Sequence, residues 1–106
     1  MDTEAFRATL GDPRPPAGLP PLVEALWHDA RGDWERAHSI AQEINDADGC
    51  WVHGYLHRVE GDMTNAAYWY RRAGRSFPEI SLPDEWTAIA GALLGRQGER
   101  AGAGSA

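Results

Sequence analysis

The chain has 106 residues, 16 acidic against 10 basic side chains and a formal net charge of −6. That length is one domain, able to bury about 65% of its unfolded surface, and its acidity argues against nucleic-acid or anionic-membrane partners recognised by bulk charge. The single Cys50 excludes an intrachain disulfide, and no apolar run approaches the ~18 residues that span a bilayer, so a soluble, cytoplasmic protein held by packing alone is expected.

Residues 1–10, MDTEAFRATL, suit a short helix with Ala5, Phe6 and Leu10 on its apolar side and Asp2 or Thr3 as the cap. Five prolines in the following eleven residues exclude regular helix and read as an extended connector. From residue 21 the spacing of Leu22, Val23, Leu26, Trp27 and Ala30 is one helix face, with Pro20 and Pro21 at its first turn. Gly32 ends it, and Asp33 caps a second helix striped by Trp34, Ala37, Ala41 and Ile44. A loop, NDADG, follows.

The plan then repeats. Trp51, Val52, Tyr55, Leu56 and Val59 mark a third helix, Gly61 stops it, and Asp62 caps a fourth carrying Met63, Ala66, Ala67, Tyr70, Ala73 and Phe77, closed by Pro78. Ser81 and Asp84 form a capping-box-like pair ahead of a fifth repeat-domain helix through Trp86, Ile89, Ala90 and Leu93, which Gly95 is expected to end. Residues 96–106 lack any large apolar side chain and are expected to be a disordered tail. With no period-2 strand pattern anywhere, the fold class is all-α: an N-terminal helix and Pro-rich connector over 1–20, a helical repeat domain over 21–95, and the tail.

The two Gly-Asp pairs, at positions 32 and 61, stand 29 residues apart. Superposing them sets Leu26 on Tyr55, His28 on His57 and Ala37 on Ala66. On these residues, and on Gly54, Gly61, Ala66, Tyr70, Ala73 and Pro78, the segment 54–78 resembles a tetratricopeptide repeat, and 21–49 a poorer copy of one. The resemblance implies two stacked antiparallel helical hairpins, with the last helix as a cap. The strings HGYLHRVEGD and YWYRRAG are also similar to a small group of microbial proteins, a likeness that implies no activity. Two hairpins fall short of the three that usually make a stable stack, so either a homodimer or a core completed by the N-terminal segment is expected.

Three constellations are candidates for function. In tetratricopeptide repeats the first helix of each hairpin lines a groove for a protein or peptide partner. Here the resemblance places Trp51, Tyr55 and Arg58 with Leu22, Leu26 and Asp29 on that groove, and Trp, Tyr and Arg are residue types enriched in binding hot spots. The competing reading is that these aromatics pack against the chain's own N-terminal segment or last helix. The second constellation is a histidine set. His53 and His57 are four apart on one helix face, and Glu24 and His28 hold the equivalent places in the first hairpin. If these four converge they are ligands for Zn²⁺ or another borderline metal; otherwise each histidine is a hydrogen-bonded structural group. The third is Tyr68–Trp69–Tyr70 with Arg71, Arg72 and Arg75, where Trp69 and Arg72 are spaced for cation–π stacking and, with His53, His57 and Arg58, suit a pocket for an acidic small molecule, against the plainer reading of solvated surface. No catalytic motif is present, and Cys50 reads as a small core residue.

Overall fold

The computed structural model describes the backbone of residues 1–105 and the side chains of residues 1–96. Among them are six α-helices and no strand: α1 (Thr3–Ala8), α2 (Pro21–Ala30), α3 (Trp34–Ala41), α4 (Ala47–Val59), α5 (Met63–Arg72) and α6 (Leu82–Ser105). One 3-10 turn, Thr9–Gly11, follows α1.

Short polar side chains start the helices where backbone N–H groups would otherwise lack partners. Asp2 accepts from Ala5 N at 2.8 Å, Asp33 from Arg36 N at 3.2 Å, Asp46 from Gly49 N at 2.8 Å and Asp62 from Asn65 N at 3.2 Å. Each such cap is worth about 1 kcal/mol. Asp46 starts α4 inside the NDADG segment expected to be a loop, because its carboxylate caps the first turn.

The two Gly-Asp turns have one geometry. Gly32 and Gly61 sit at φ +84° and +86°, a left-handed conformation that a Cβ would strain. Asp33 N donates to His28 O, and Asp62 N to His57 O, both at 2.9 Å, which is the Schellman closure of a helix C-terminus. The same closure recurs once more. Gly74 has φ +75° and Arg75 N donates to Tyr70 O at 2.9 Å, so α5 ends at Arg72 instead of running to Phe77. Phe77 is 40% exposed in the segment beyond and touches the Tyr70 ring edge-on at 5.3 Å.

α2 packs on α3 and α4 on α5, α3 lies against α4, and α6 crosses α2 and α4. Ala37, Ala41 and Ala66 are fully buried and Gly54 lies where α5 passes α4. A Cβ at Gly54 would stand 3.3 Å from Ala66 O and from Tyr70 N, so glycine permits this approach. α1 completes the core: Phe6 is fully buried and stacks on Trp86 with centroids 5.6 Å apart, which is the N-terminal alternative foreseen from sequence.

α6 departs from expectation at its C-terminal side. It passes through Gly95 and its backbone is helical to Ser105. Gly95 itself costs the helix only about 1 kcal/mol, and Arg96, the next residue, pairs with Asp48 of α4 at 2.7 Å. Ala106, the end of the expected disordered tail, lies outside the described residues. No helix among those described is long and apolar enough to cross a membrane.

Candidate functional site

Helix packing brings three histidines together. His53 and His57 are four residues apart on α4 and therefore share a face; their rings stack with centroids 4.8 Å apart. α3 lies along that face and adds His38, whose Nε2 is 3.0 Å from His53 Nε2. One potential ligand atom from each of the three falls within 4.8 Å of the others. His53 and His57 are buried and His38 is half-buried.

The trio is held by its neighbours. Trp34, one turn before His38, stacks on it with centroids 4.7 Å apart, and fixes its own indole by donating to Leu56 O at 2.7 Å. Trp69 of α5 stacks on His53 at 3.9 Å between centroids, nearly parallel, within the close approach that Gly54 allows. His57 Nδ1 lies 2.6 Å from Glu60 Oε1, while its Nε2 faces the Asn65 amide at 3.4 Å. A carboxylate on one ring nitrogen fixes the tautomer and leaves the other nitrogen as a lone-pair donor.

Electrostatics keep His38 and His53 uncharged. Burial, followed by the neighbouring His38 and His57, pushes His53 down to about 4. His38 is lowered as well, by burial first and by His57 second. Both are neutral imidazoles at physiological pH, the form that ligates a metal. In the His38–His53 contact one Nε2 carries the proton and donates while the other accepts, so ligation of a metal by both Nε2 atoms requires the donating ring to take its Nδ1–H tautomer.

Glu24 and His28 do not join this set. His28 Nε2 faces Glu24 Oε2 at 3.3 Å and the Arg36 Nε, which donates to it, also at 3.3 Å. The first-hairpin pair is thus a closed local contact with a guanidinium against it. The sequence pattern sets Glu24 and His28 of α2 beside His53 and His57, whereas helix packing brings His38 of α3 to them instead. The usable signal was the stripe containing Trp34: His38 lies one turn further along that helix, on the side that a following hairpin covers. A second grouping of His57 with Glu60 and Asp62 lies at the α4–α5 turn, where both carboxylates are exposed and Asp62 is occupied as a helix cap.

Most of the expected groove is filled by the chain itself, and only Asp29 and the edge of Tyr55 remain on an open cleft. Leu22, Leu26, Trp51 and Tyr55 are at most 8% exposed, covered by α6 and α1. Their cover includes Glu85 of α6, a residue without prominence in the sequence. It is 2% exposed and accepts from Tyr70 Oη at 2.7 Å, Arg58 at 2.8 Å and Trp51 Nε1 at 3.3 Å. Arg58 also donates to Ile80 O. A buried carboxylate so surrounded is satisfied by its partners, which accounts for Trp51 and Arg58 as core groups. Arg75 adds a guanidinium 3.4 Å above the Trp51 ring. Tyr55 Oη donates to Asp29 Oδ2 at 3.1 Å. Of the third constellation, Trp69 reaches the histidines, and Arg72 lies 5.2 Å from the Trp69 ring and donates to Tyr68 Oη at 3.1 Å.

No protein-family model, curated protein or solved structure matches the chain. The functional reading therefore rests on the site's own chemistry.

Proposed function

We propose that this protein binds a borderline divalent metal ion of the Zn²⁺ class through His38, His53 and His57. The observation that carries the reading is the convergence of three imidazoles from two helices, two of them held neutral, with Nε2 atoms of His38 and His53 at 3.0 Å. Tetrahedral Zn²⁺ with nitrogen ligands at about 2.0–2.1 Å requires N···N separations of roughly 3.3 Å, so this pair needs to open only slightly. An all-imidazole set favours Zn²⁺, Cu²⁺, Ni²⁺ or Co²⁺ and disfavours Ca²⁺ and Mg²⁺, which want oxygen donors. Three protein ligands leave one tetrahedral position for water or an exogenous ligand.

The scaffold that supports this site is read as two tetratricopeptide-like hairpins, α2–α3 and α4–α5, with α6 as the cap. The shared Schellman turns and the small residues at Ala37, Ala66 and Gly54 support that reading. In it the metal lies between hairpins and ties the second helix of one to the first helix of the next.

Titration of metal-free protein with Co²⁺ and Zn²⁺ tests the proposal. One equivalent of Co²⁺ should give a tetrahedral visible spectrum that Zn²⁺ displaces, and Zn²⁺ should raise the unfolding temperature. His53→Ala should abolish both responses while His28→Ala retains them. Absence of saturable binding, or equal binding by the His53→Ala protein, would refute it.

A further inference from the structure

On the side of the molecule bounded by α1 and α6, a cleft of about 530 Å³ remains open, within the range of small-ligand sites. Its walls are mainly apolar, formed by Leu10, Tyr55, Val59, Leu82 and Trp86. Asp29 also lines it. This carboxylate is half-buried, and its only hydrogen-bond partner among the described side chains is the Tyr55 hydroxyl, on Oδ2 at 3.1 Å.

Three arginines stand on neighbouring elements, and the guanidinium of each makes its contacts elsewhere. Arg7, at the cleft's edge, pairs with Glu4 at 2.6 Å and donates to Thr87 at 2.8 Å. Arg31 donates to Leu10 O at 2.8 Å and lies over Trp27. Arg58 is taken by Glu85. Asp29 also stands in the last turn of α2, where the helix dipole disfavours negative charge. Burial raises its pKa, against the smaller opposing effect of the Tyr55 hydrogen bond. The free protein therefore holds a carboxylate at a cost, in an apolar cleft, with no cation on it among the described side chains.

We propose that this cleft is a binding site for a small organic ammonium ion with an apolar body, its nitrogen on Asp29 and its body against Tyr55, Val59, Leu82 and Trp86. An ammonium supplies the missing counter-charge and donors, and the aromatic walls favour a cation by their ring quadrupoles. A carboxylate-bearing ligand would meet the Asp29 charge, with the Arg7 guanidinium already paired. The site uses none of the three histidines and is independent of metal binding.

Calorimetric titration of metal-free protein with 2-phenylethylammonium, 3-phenylpropan-1-ol and 3-phenylpropionate tests this. The ammonium should bind with one-to-one saturation, and the neutral and anionic compounds at least tenfold more weakly, about 1.4 kcal/mol. Asp29→Asn should lose at least tenfold in ammonium affinity without a lower unfolding temperature, and His53→Ala should bind as the parent does. Thr87→Trp, which places a ring at the cleft mouth while Asp29 is kept, should also lose binding. Equal affinity for the three compounds, undiminished ammonium binding by Asp29→Asn or Thr87→Trp, or no saturation in the millimolar range would overturn the proposal.

Discussion

The hairpins α2–α3 and α4–α5 share a turn but not a chemistry. His28 and His57 occupy equivalent places, each supplying the carbonyl that the Schellman closure caps, and each has a carboxylate beside it: Glu24 at 3.3 Å and Glu60 at 2.6 Å. Only His57 sits among other imidazoles. One substitution and one packing difference separate the copies. Position 24 is Glu where its counterpart 53 is His, and α3, which carries His38, packs against the front of α4, whereas His28 meets Arg36 from that same helix. The lesson is that the histidine site belongs to the junction between hairpins and cannot be read from either hairpin alone.

The sharpest way to break that comparison is at the junction. His38→Ala removes the one ligand that α4 does not supply, and metal affinity should fall by more than the 10–100-fold that losing an outer hydrogen-bond partner costs. Competition against a chromophoric chelator measures it, and His28→Ala should match the parent. Glu60→Ala takes away only the group that orients His57, so a loss of about 10–100-fold is expected in the same assay.

Packing offers a third test. Gly54→Val drives a branched side chain into Ala66 O and Tyr70 N, already 3.3 Å from an ideal Cβ, and should cost about 1–3 kcal/mol by overpacking. Its counterpart in the first hairpin, Ala25→Gly, should cost about 1 kcal/mol through helix propensity. Urea denaturation of the two variants compares them directly, and the valine should also weaken metal binding, because Trp69 can no longer close on His53.

Acid should separate the regions without mutation. His53 has a folded pKa of about 4 against an ordinary value of 6.5, so the unfolded chain binds its proton first as the pH falls. Its contribution is fully present above pH 6.5 and lost progressively toward pH 4. Thermal unfolding of metal-free protein between pH 7.5 and 4.5 should show this decline, and His53→Gln should flatten it. The smallest effect is expected at Asp29. Asp29→Asn relieves a desolvated charge near a helix C-terminus and keeps an acceptor for Tyr55 Oη, so it should leave stability unchanged or raise it by about 0.5–1 kcal/mol, read from the denaturation midpoint.

Much of the architecture was legible because it is local. Asp33 and Asp62 as caps, Gly32 and Gly61 as left-handed terminators, and the stripes of Leu22–Leu26 and Val52–Leu56 are set by a period of 3.6 residues and by backbone sterics. The same rules applied to Gly74, whose meaning was obscured by the apolar Phe77 beyond it, and they misread Gly95, through which α6 continues. The pairing of His53 with His57 also lay within one helix and was visible.

What the chain alone determined, then, is six helices, their caps and which residues are apolar along each, since neighbours three or four positions apart meet whatever the rest does. Tertiary structure decided which apolar faces were covered and which polar groups met. It placed α6 over Trp51, Tyr55 and Leu26, turned Glu85 into a buried acceptor, left Asp29 at an open cleft, and brought His38 rather than His28 to His53. These outcomes depend on helix crossing geometry and on the approach that one glycine permits, and periodicity along a single helix carries no information about either.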